Sequence, residues 1–436
     1  MSSRDHFSFI ENEYEQVKSI GTPSGRNSSS CGYCSPPGQR SKEYSSYHLA
    51  GLDATRLTCQ VYQKMIDRGW RRSGIWCYKP DLKISCCPQY TIRLDALAFK
   101  PSKSQRKLVN RWNRFVLKGR EGEMMEVEPN SNKRQMTITP YICRKQKSKE
   151  KERAFDLIGS IHTAETSFHS EEHPAHRFEI VLEPSSFTEE KYELFVKYQR
   201  DIHHDFKNTP HGFERFLSED IPYPSSPPPH LPKKYGSYHQ LYRLDGELVA
   251  MAVLDILPHC VSSVYFMYNK VWEGFSFGKL STLREVSLAR EIHEAGISDM
   301  KYLYMGFYIH SCQKMRYKGE YAPSSLLDPE SYDWFPLETC KPLLDQNRYA
   351  CFSKPEESIS GDPPAGLLDV KSPRIVDTSI LDKIQVLVQV RSPNLAKFLV
   401  PIYRTQLWDY DNVREEYEAC VEGLGVELIQ EVTFEL

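Results

Sequence analysis

No stretch of the 436 residues approaches the roughly 18 uncharged apolar positions that a membrane-spanning helix requires, and the mean hydropathy is −0.55. A membrane span is therefore not expected. The opening MSSRDHFSFI lacks a basic stretch followed by an apolar one, so a secretory signal is not expected either. An excess of one charge is also missing, with 56 Lys and Arg against 58 Asp and Glu. No internal repeat is visible, which sets aside solenoids and propellers. What is present suffices for a core: 40% of residues are hydrophobic, too many for a wholly disordered chain. The length suggests two or three domains at about 150 residues each. The expectation is a soluble protein of the cytoplasm, with the nucleus as a second compartment and the oligomeric state open.

The near-neutral total hides an asymmetry. Residues 61–160 carry 23 basic and 10 acidic side chains, a net of +13, which leaves −15 for the other 336 residues. One region is thus suited to a polyanion, or else presents a solvated basic face. The 12 cysteines sit in a long chain without an export signal, which favours metal binding or buried thiols over a disulfide framework. Cys31-Gly-Tyr-Cys34 has ligand spacing, and Cys86-Cys87 can supply two further thiolates for a tetrahedral centre. A three-cysteine site completed by water, His48 or Cys77 is the alternative, and four thiolates also suit an iron–sulfur cluster.

Along the chain, residues 1–30 read as a mobile, Ser-rich tail. Residues 31–118 read as a compact, Cys-rich, basic domain. Its clearest element is a helix capped by Ser102, with Leu108, Trp112, Phe115 and Val116 on one stripe and Lys103, Lys107, Asn110 and Arg114 on another. Residues 119–175 read as a charged linker. A second domain, 176–354, opens with an alternating strand at Phe178, Ile180 and Leu182 and a helix over 189–203, and 220–234 is a proline-rich loop. Strands over 237–244 and 247–257 flank Asp245-Gly246, a hairpin turn signal. A third strand over 261–268 leads through Gly278 into a helix marked by Leu280, Leu283, Val286, Ala289 and Ile292, and a strand follows over 301–309. Residues 355–436 read as loop, an alternating run from Ile384 to Val390, and an acidic C-terminal helix packing on the catalytic domain.

Hairpin, strand, glycine-entered helix and strand imply a mixed sheet with one parallel crossover. That order is the core of the GCN5-related N-acyltransferase fold, so the expected class is α+β: an acyltransferase-like mixed sheet with a smaller metal-binding N-terminal domain. In that fold the loop before the helix holds a pyrophosphate. Only one glycine, Gly278, stands where two are usual.

Several strings go further: CGYC (31–34), YQKMIDRGWRRSG (62–74), CCPQYTIR (86–93), FKPSKSQRK (99–107), YGSYHQLYRLDG (235–246), ILPHCVSSVYFMY (256–268), LREV (283–286) and YMGFYIHSCQKMRYKGEY (304–321). Together they resemble the arginyl-tRNA–protein transferases of eukaryotes, with a fungal flavour, over nearly half the chain. The resemblance implies transfer of arginine from Arg-tRNA to the α-amine of proteins beginning with Asp, Glu or oxidised Cys, which marks them for N-degron degradation. It implies a regulatory or redox role for a metal at the cysteines. An activated ester donor needs neither ATP nor CoA. The acceptor α-amine, with a reference pKa of about 7.7–8.0, is partly neutral at physiological pH. Positioning and oxyanion stabilisation are then enough for most of the acceleration.

Charge-assisted donors are needed for an acidic acceptor. His310, Lys314 and Arg316, with Tyr317 and Lys318, are the acceptor candidates, and Tyr308 shapes the pocket with Tyr317. Tyr235, Ser237, His239 and Gln240 begin the hairpin and are candidates to face the ester, His239 as a proton relay or as a structural histidine. Asp255 sits in an apolar strand and either holds the donor's guanidinium or bonds backbone. Arg71, Arg72, Lys103, Arg106, Lys107 and Arg114, with Gly278 and Lys279 at the helix entry, are the tRNA candidates. Rival readings are a CoA-dependent N-acetyltransferase and a non-catalytic, metal-containing RNA-binding adaptor.

Overall fold

The computed structural model describes residues 19–36, 39–119, 155–169, 173–218, 222–223, 235–363, 378–389 and 397–435. Most of the proline-rich loop and the linker between 120 and 154 lie outside the described residues. The strands of the first half are β1 (Ser19–Pro23), β2 (Asn27–Ser30), β3 (Ser45–Thr58), β4 (Arg71–Ser73), β5 (Trp76–Pro80), β6 (Tyr90–Asp95), β7 (Phe178–Pro184) and β8 (Pro222–Tyr223). Those of the second half are β9 (Gly236–Leu244), β10 (Glu247–Ile256), β11 (Cys260–Tyr268), β12 (Tyr302–Tyr308), β13 (Ser324–Leu327), β14 (Trp334–Pro336), β15 (Gln385–Gln389), β16 (Lys397–Pro401) and β17 (Val432–Glu435). Among the described residues, the α-helices of six residues or more are α1 (Cys59–Ile66), α2 (Lys103–Lys118), α3 (Leu157–His162), α4 (Glu189–Tyr198), α5 (Phe277–Glu294), α6 (Leu337–Gln346) and α7 (Asp411–Leu428).

These elements form two mixed sheets. The second runs β14-β13-β6-β12-β11-β10-β9-β7 and contains the expected crossover. β9 and β10 pair antiparallel across Asp245 and Gly246, which take φ of 53° and 87°, the left-handed values that a two-residue hairpin turn requires. β11 pairs antiparallel with β10, α5 crosses, and β12 returns parallel to β11 with Cys260 opposite Tyr302. The apolar positions of α5 that the sequence marks are all buried.

The chain does not divide between the sheets as expected. β6 and α2 come from the stretch assigned to the N-terminal domain, yet β6 lies between β12 and β13. α2 packs against α5 through Trp112, whose ring meets Phe277 edge-on at 4.9 Å and Phe275 at 5.2 Å. Trp112 therefore belongs to the core. The capping box of Ser102 and Gln105 starts α2, and Lys103, Lys107, Asn110 and Arg114 stay exposed. From the expected linker, residues 157–162 form α3, clamped to α5 by an ion pair between Glu165 and Arg284. On the opposite face of the sheet, Leu194 and Phe195 of α4 pack on Met251, Val253 and Met267. The helix expected over 189–203 spans that range, but its last turn, Gln199–His203, widens to a π-helix.

The first sheet runs β16-β15-β17-β1-β3-β5-β4, with β2 and β8 also paired to β3. Residues assigned to a mobile tail thus supply β1 and β2. β1 pairs parallel with β17, Ser19 opposite Val432. The C-terminal segment accordingly packs on the N-terminal sheet: Tyr417, Cys420 and Leu424 of α7 share a core with Leu52, Met65 and Trp70. Trp70 Nε1 donates to Gly423 O at 3.0 Å, and a Cβ on Gly423 would stand 2.7 Å from Trp70 Cζ2 and 3.0 Å from Ala50 Cβ.

Gly423→Ala overpacks this seam and is expected to cost about 1–3 kcal/mol. The measurement is the urea midpoint of the full chain, and an unchanged midpoint would show that α7 is not seated on Trp70.

Candidate functional site

Where β11, β12, the first turn of α5 and the segment 313–318 converge on the tip of the first sheet, they enclose a cavity of about 510 Å³. Seven tyrosines line it: Tyr33, Tyr62, Tyr78, Tyr198, Tyr265, Tyr268 and Tyr317. Tyrosine pairs a flat stacking face with a polar tip, which suits bases and a sugar more than an apolar ligand.

The charged lining is small and specific: Arg71, Arg72, Glu285, Lys314 and Lys318, with His203 beside them. Glu285 is 2% exposed. Burial raises its carboxyl to about 7, against hydrogen bonds from Ser281, at 2.7 Å, and Ser263. Lys318 is lowered to about 7, first by burial and then by the neighbouring Arg71 guanidinium, and its Nζ donates to Phe307 O at 2.8 Å. A carboxyl and an amine in one enclosure are thus both brought near neutrality, the condition for moving protons at physiological pH. Arg71 donates to Trp70 O at 2.7 Å and Gly306 O at 3.3 Å. Gly278 lines the cavity, and a Cβ there would meet nothing within 4 Å, so packing does not demand this glycine.

Arg72 and Asp255 form a buried ion pair. Nε donates to Oδ2 at 2.9 Å and Nη2 to Oδ1 at 2.6 Å, while Nη2 also reaches Ser237 Oγ at 2.7 Å, and Ser237 donates back to Asp255 at 2.8 Å. Burial opposes the Arg72 charge, and Asp255 more than restores it. Asp255 is therefore committed to a guanidinium of this chain, not to the donor's or to backbone, and Arg72 is a structural cation that backs the cavity rather than a phosphate contact.

Of the other candidates, Lys314, Tyr317, Lys318, Arg71 and Gly278 gather at the cavity. The hairpin group does not. His239 is fully buried, bonds Leu217 O at 3.0 Å and is lowered to about 4 by burial, which removes it as a proton relay. Gln240 accepts from Tyr242 at 2.9 Å, and Tyr235 lies outside the lining. His310 bonds Tyr308 Oη at 2.8 Å and Asp345 at 2.7 Å, while Arg316 is exposed, and all three of His310, Tyr308 and Arg316 stand outside the lining. Lys279 pairs with Glu320 at 3.0 Å on the surface, and Arg106 is half-buried over Phe155. Sequence reasoning missed Glu285, although it lies in the LREV string. The available signal was its helix: with Ser281, Thr282 and Ser287 between apolar positions, the stretch 281–287 of α5 is buried throughout, so a carboxylate within it needs a reason.

The four cysteines do meet. The sulfurs of Cys31, Cys34, Cys86 and Cys87 lie within 4.8 Å of one another, with Cys34 exposed and the rest buried. Cys34 Sγ is 3.2 Å from both Cys86 and Cys87 and 3.5 Å from Cys31. Hydrogen bonds from Cys86 and Cys87 push the Cys31 thiol far below its ordinary value. Four convergent soft donors fit a thiolate-bound metal. Neither alternative ligand joins them: His48 bonds Asn27 at 2.5 Å, and Cys77 is buried near Arg72, its thiol raised to about 12. The cluster packs on Ile309, Cys312 and Met315, and Tyr33 and Met315 also line the cavity, so the two sites share a wall.

Two family profiles match the chain: "Arginine-tRNA-protein transferase, N terminus" over residues 29–107 and "Arginine-tRNA-protein transferase, C terminus" over 190–328. Arginyl-tRNA–protein transferase 1 of Drosophila melanogaster is 32% identical over 78% of this chain and 86% of its own length. The protein of the same name from Saccharomyces cerevisiae is 29% identical over 71% of this chain and 57% of its own. An aspartate/glutamate leucyltransferase of Pseudomonas fluorescens is 33% identical over 32% of this chain and 53% of its own.

Asp255→Ala strands a buried guanidinium and is expected to cost about 3–5 kcal/mol, whereas Asp255→Leu with Arg72→Met should cost less than the two single changes together. Chemical denaturation of the wild type, Asp255→Ala, the two singles and the double variant checks this, and simple additivity would show that the pair is uncoupled.

Proposed function

Because this chain belongs to the arginyl-tRNA–protein transferase family, we infer that it is an aminoacyltransferase that moves arginine from Arg-tRNA to the N-terminal α-amine of proteins. The proposed acceptors begin with Asp, Glu or oxidised Cys, and their arginylation marks them for the N-degron pathway. The observation that carries the reading is the tyrosine-lined cavity in which Glu285, Lys314 and Lys318 converge. The bacterial relative named for aspartate and glutamate acceptors but a leucyl donor supports acidic selection as a feature of these transferases. The CoA and adaptor readings are not favoured. No helix among the described residues is long and apolar enough to cross a membrane. The proposed compartment is that of the charged tRNA, the cytoplasm, with the nucleus as a second.

In the proposed reaction the acceptor amine attacks the carbonyl carbon of the arginyl ester. A C–N bond forms, the bond to the ribose oxygen breaks, the amine loses a proton and the ribose oxygen gains one. Glu285, at about 7, is matched to an α-ammonium of about 7.7–8.0 and is the proposed proton acceptor. Lys318 retains donor capacity beyond Phe307 O and is the proposed oxyanion partner. The tyrosines are proposed to stack the bases at the tRNA 3′ end, and Lys314, exposed at the cavity wall, to pair with the acceptor carboxylate. Lys103, Lys107 and Arg114, on the free stripe of α2, are the proposed tRNA backbone contacts.

The order of β9, β10, β11, α5 and β12 supports a GCN5-related acyltransferase-like class for the second sheet. Zinc or an iron–sulfur cluster is proposed at Cys31, Cys34, Cys86 and Cys87, regulatory or structural in role. When bound, such a centre supplies a multidentate crosslink between the 31–34 loop and the 86–87 segment.

Labelled Arg-tRNA, acetyl-CoA and an Asp-initiated peptide, supplied together, test the reading. Label should reach the peptide from tRNA alone, and label from CoA or from neither would overturn it. In the same assay Lys314→Ala should lower the Asp/Asn ratio of kcat/KM by roughly 10- to 150-fold, the worth of a charge-assisted hydrogen bond. An equal loss for both acceptors would reassign Lys314 to the tRNA.

Glu285 is protonated below its value of about 7 and can accept a proton only above it, so kcat/KM should rise through pH 7. Glu285→Gln should remove that limb, leave only the titration of the acceptor amine, and cost about 10²–10⁴-fold at pH 7. A retained limb at pH 7 would exclude Glu285 as the base.

A further inference from the structure

Successive residues of a strand face opposite ways. Tyr78 of β5 lines the catalytic cavity, and Lys79 lines a second cavity of about 380 Å³ behind it. Its cations are Arg26, Arg68, Lys79 and Lys83, and its acids are Asp81, Glu330 and Glu422. Arg26 pairs with Glu422, and Lys83 with Glu330 at 2.7 Å. Asp81 caps its own turn, accepting from Lys83 N at 3.1 Å and Ile84 N at 3.4 Å. Among the described residues, Arg68 and Lys79 are left without a carboxylate in ion-pair contact.

These two cations are held together in spite of their repulsion. The Arg68 guanidinium lies 4.1 Å and the Lys79 ammonium 4.3 Å from the centre of the Tyr332 ring. Tyr332 keeps a left-handed backbone, φ 60°, and accepts from Lys79 Nζ at 2.6 Å. Gly425, φ 80°, makes room for Arg68, since a Cβ there would stand 2.6 Å from Nη2. Two polar atoms of the same walls have no partner: Arg68 Nε, and Oγ1 of Thr91, a residue only 2% exposed. Lys79 also donates to Gly423 O at 3.2 Å, and Glu422, Glu330 and Asp81 act on it from farther off, but none of them pairs with it. Two cations without an ion-pair carboxylate, an orphaned hydroxyl and an orphaned N–H around one cavity together describe a receptor suited to an anion.

We propose that this second cavity is a binding site for a phosphate-type oxyanion, held by Arg68, Lys79 and Thr91. Two cations favour a doubly charged oxyanion over a carboxylate, and Thr91 supplies a hydrogen-bond donor. Burial, and then Arg68, lower the Lys79 ammonium to about 7, so a bound anion that restores its charge draws a proton from solution. The inference is independent of the transferase reading, because none of its residues lines the catalytic cavity.

The test is isothermal titration of the full chain with inorganic phosphate at pH 7.5, in two buffers of different ionisation enthalpy and at constant ionic strength. Saturable binding with proton uptake is expected, with acetate binding at least tenfold more weakly. Lys79→Met should abolish binding and uptake. Thr91→Val, which removes a hydroxyl at nearly constant volume, should weaken binding several-fold with the thermal midpoint retained, so that loss of fold and loss of site are separable. No saturable phosphate binding by the wild-type chain, or undiminished binding by both variants, overturns the proposal. Competition assigns the source: phosphate that displaces tRNA occupies the place of a tRNA phosphate, and phosphate that binds beside tRNA marks a site for a free phosphate or small phosphate ester.

Discussion

A guanidinium and a carboxylate, Arg72 on β4 and Asp255 on β10, are shut away from water where the two sheets meet. Neither charge is tolerable there alone, so each holds the other's strand in place, with Ser237 of β9 completing the arrangement. The tip of the first sheet is thereby fixed against the second. Arg71 lines the tyrosine-rich cavity beside it, and β5, paired to β4, becomes the wall between the two cavities. The pair stabilises little by itself. What it supplies is register, since a shift of β4 by one residue would set Arg71 instead of Arg72 against Asp255.

This pair also explains where the sequence misleads. Asp255 in an apolar strand was legible as a charge needing a partner, and the partner's direction was not, because Arg72 is 183 positions away and belongs to the basic region that suggests nucleic acid. Local signals fared better. The Asp245-Gly246 turn, the Ser102 cap and the periodicity of α5 depend on neighbours within a few residues: the hairpin strands form within one position of the expected bounds, Ser102 caps α2, and the marked positions of α5 are buried. The four cysteines were legible because ligand spacing is itself local. Sheet membership was not. β6 reads as part of the basic module, yet it is inserted next to β12, and β1 and β2 look like a tail because Ser and Gly are poor strand formers until a partner strand supplies the ladder.

The tyrosine-lined cavity was half legible for a related reason. Cations after β12 announce themselves by clustering, whereas Glu285 is one acid among apolar neighbours, and only burial on every side of the 281–287 stretch of α5 gives it an unusual proton affinity. Likewise the tyrosines come from six separate places in the chain and form a stacking surface only when folded. The shared wall formed by Tyr33 and Met315 means that whatever the four thiols hold also bears on the shape of the pocket.

The parallel pairing of β1 with β17 joins almost the first described residue to almost the last. β1 meets its other neighbour, β3, early, but synthesis at about 5–20 residues per second leaves its second edge waiting until residues 432–435 have emerged. The second sheet, by contrast, has every strand it needs once β14 has emerged, at Pro336. A nascent chain can therefore assemble the second sheet while one edge of the first stays open, with Trp70 uncovered by α7. The strand formed last among the described residues therefore acts as a clasp: the first sheet is sealed only in molecules whose synthesis has passed Glu435.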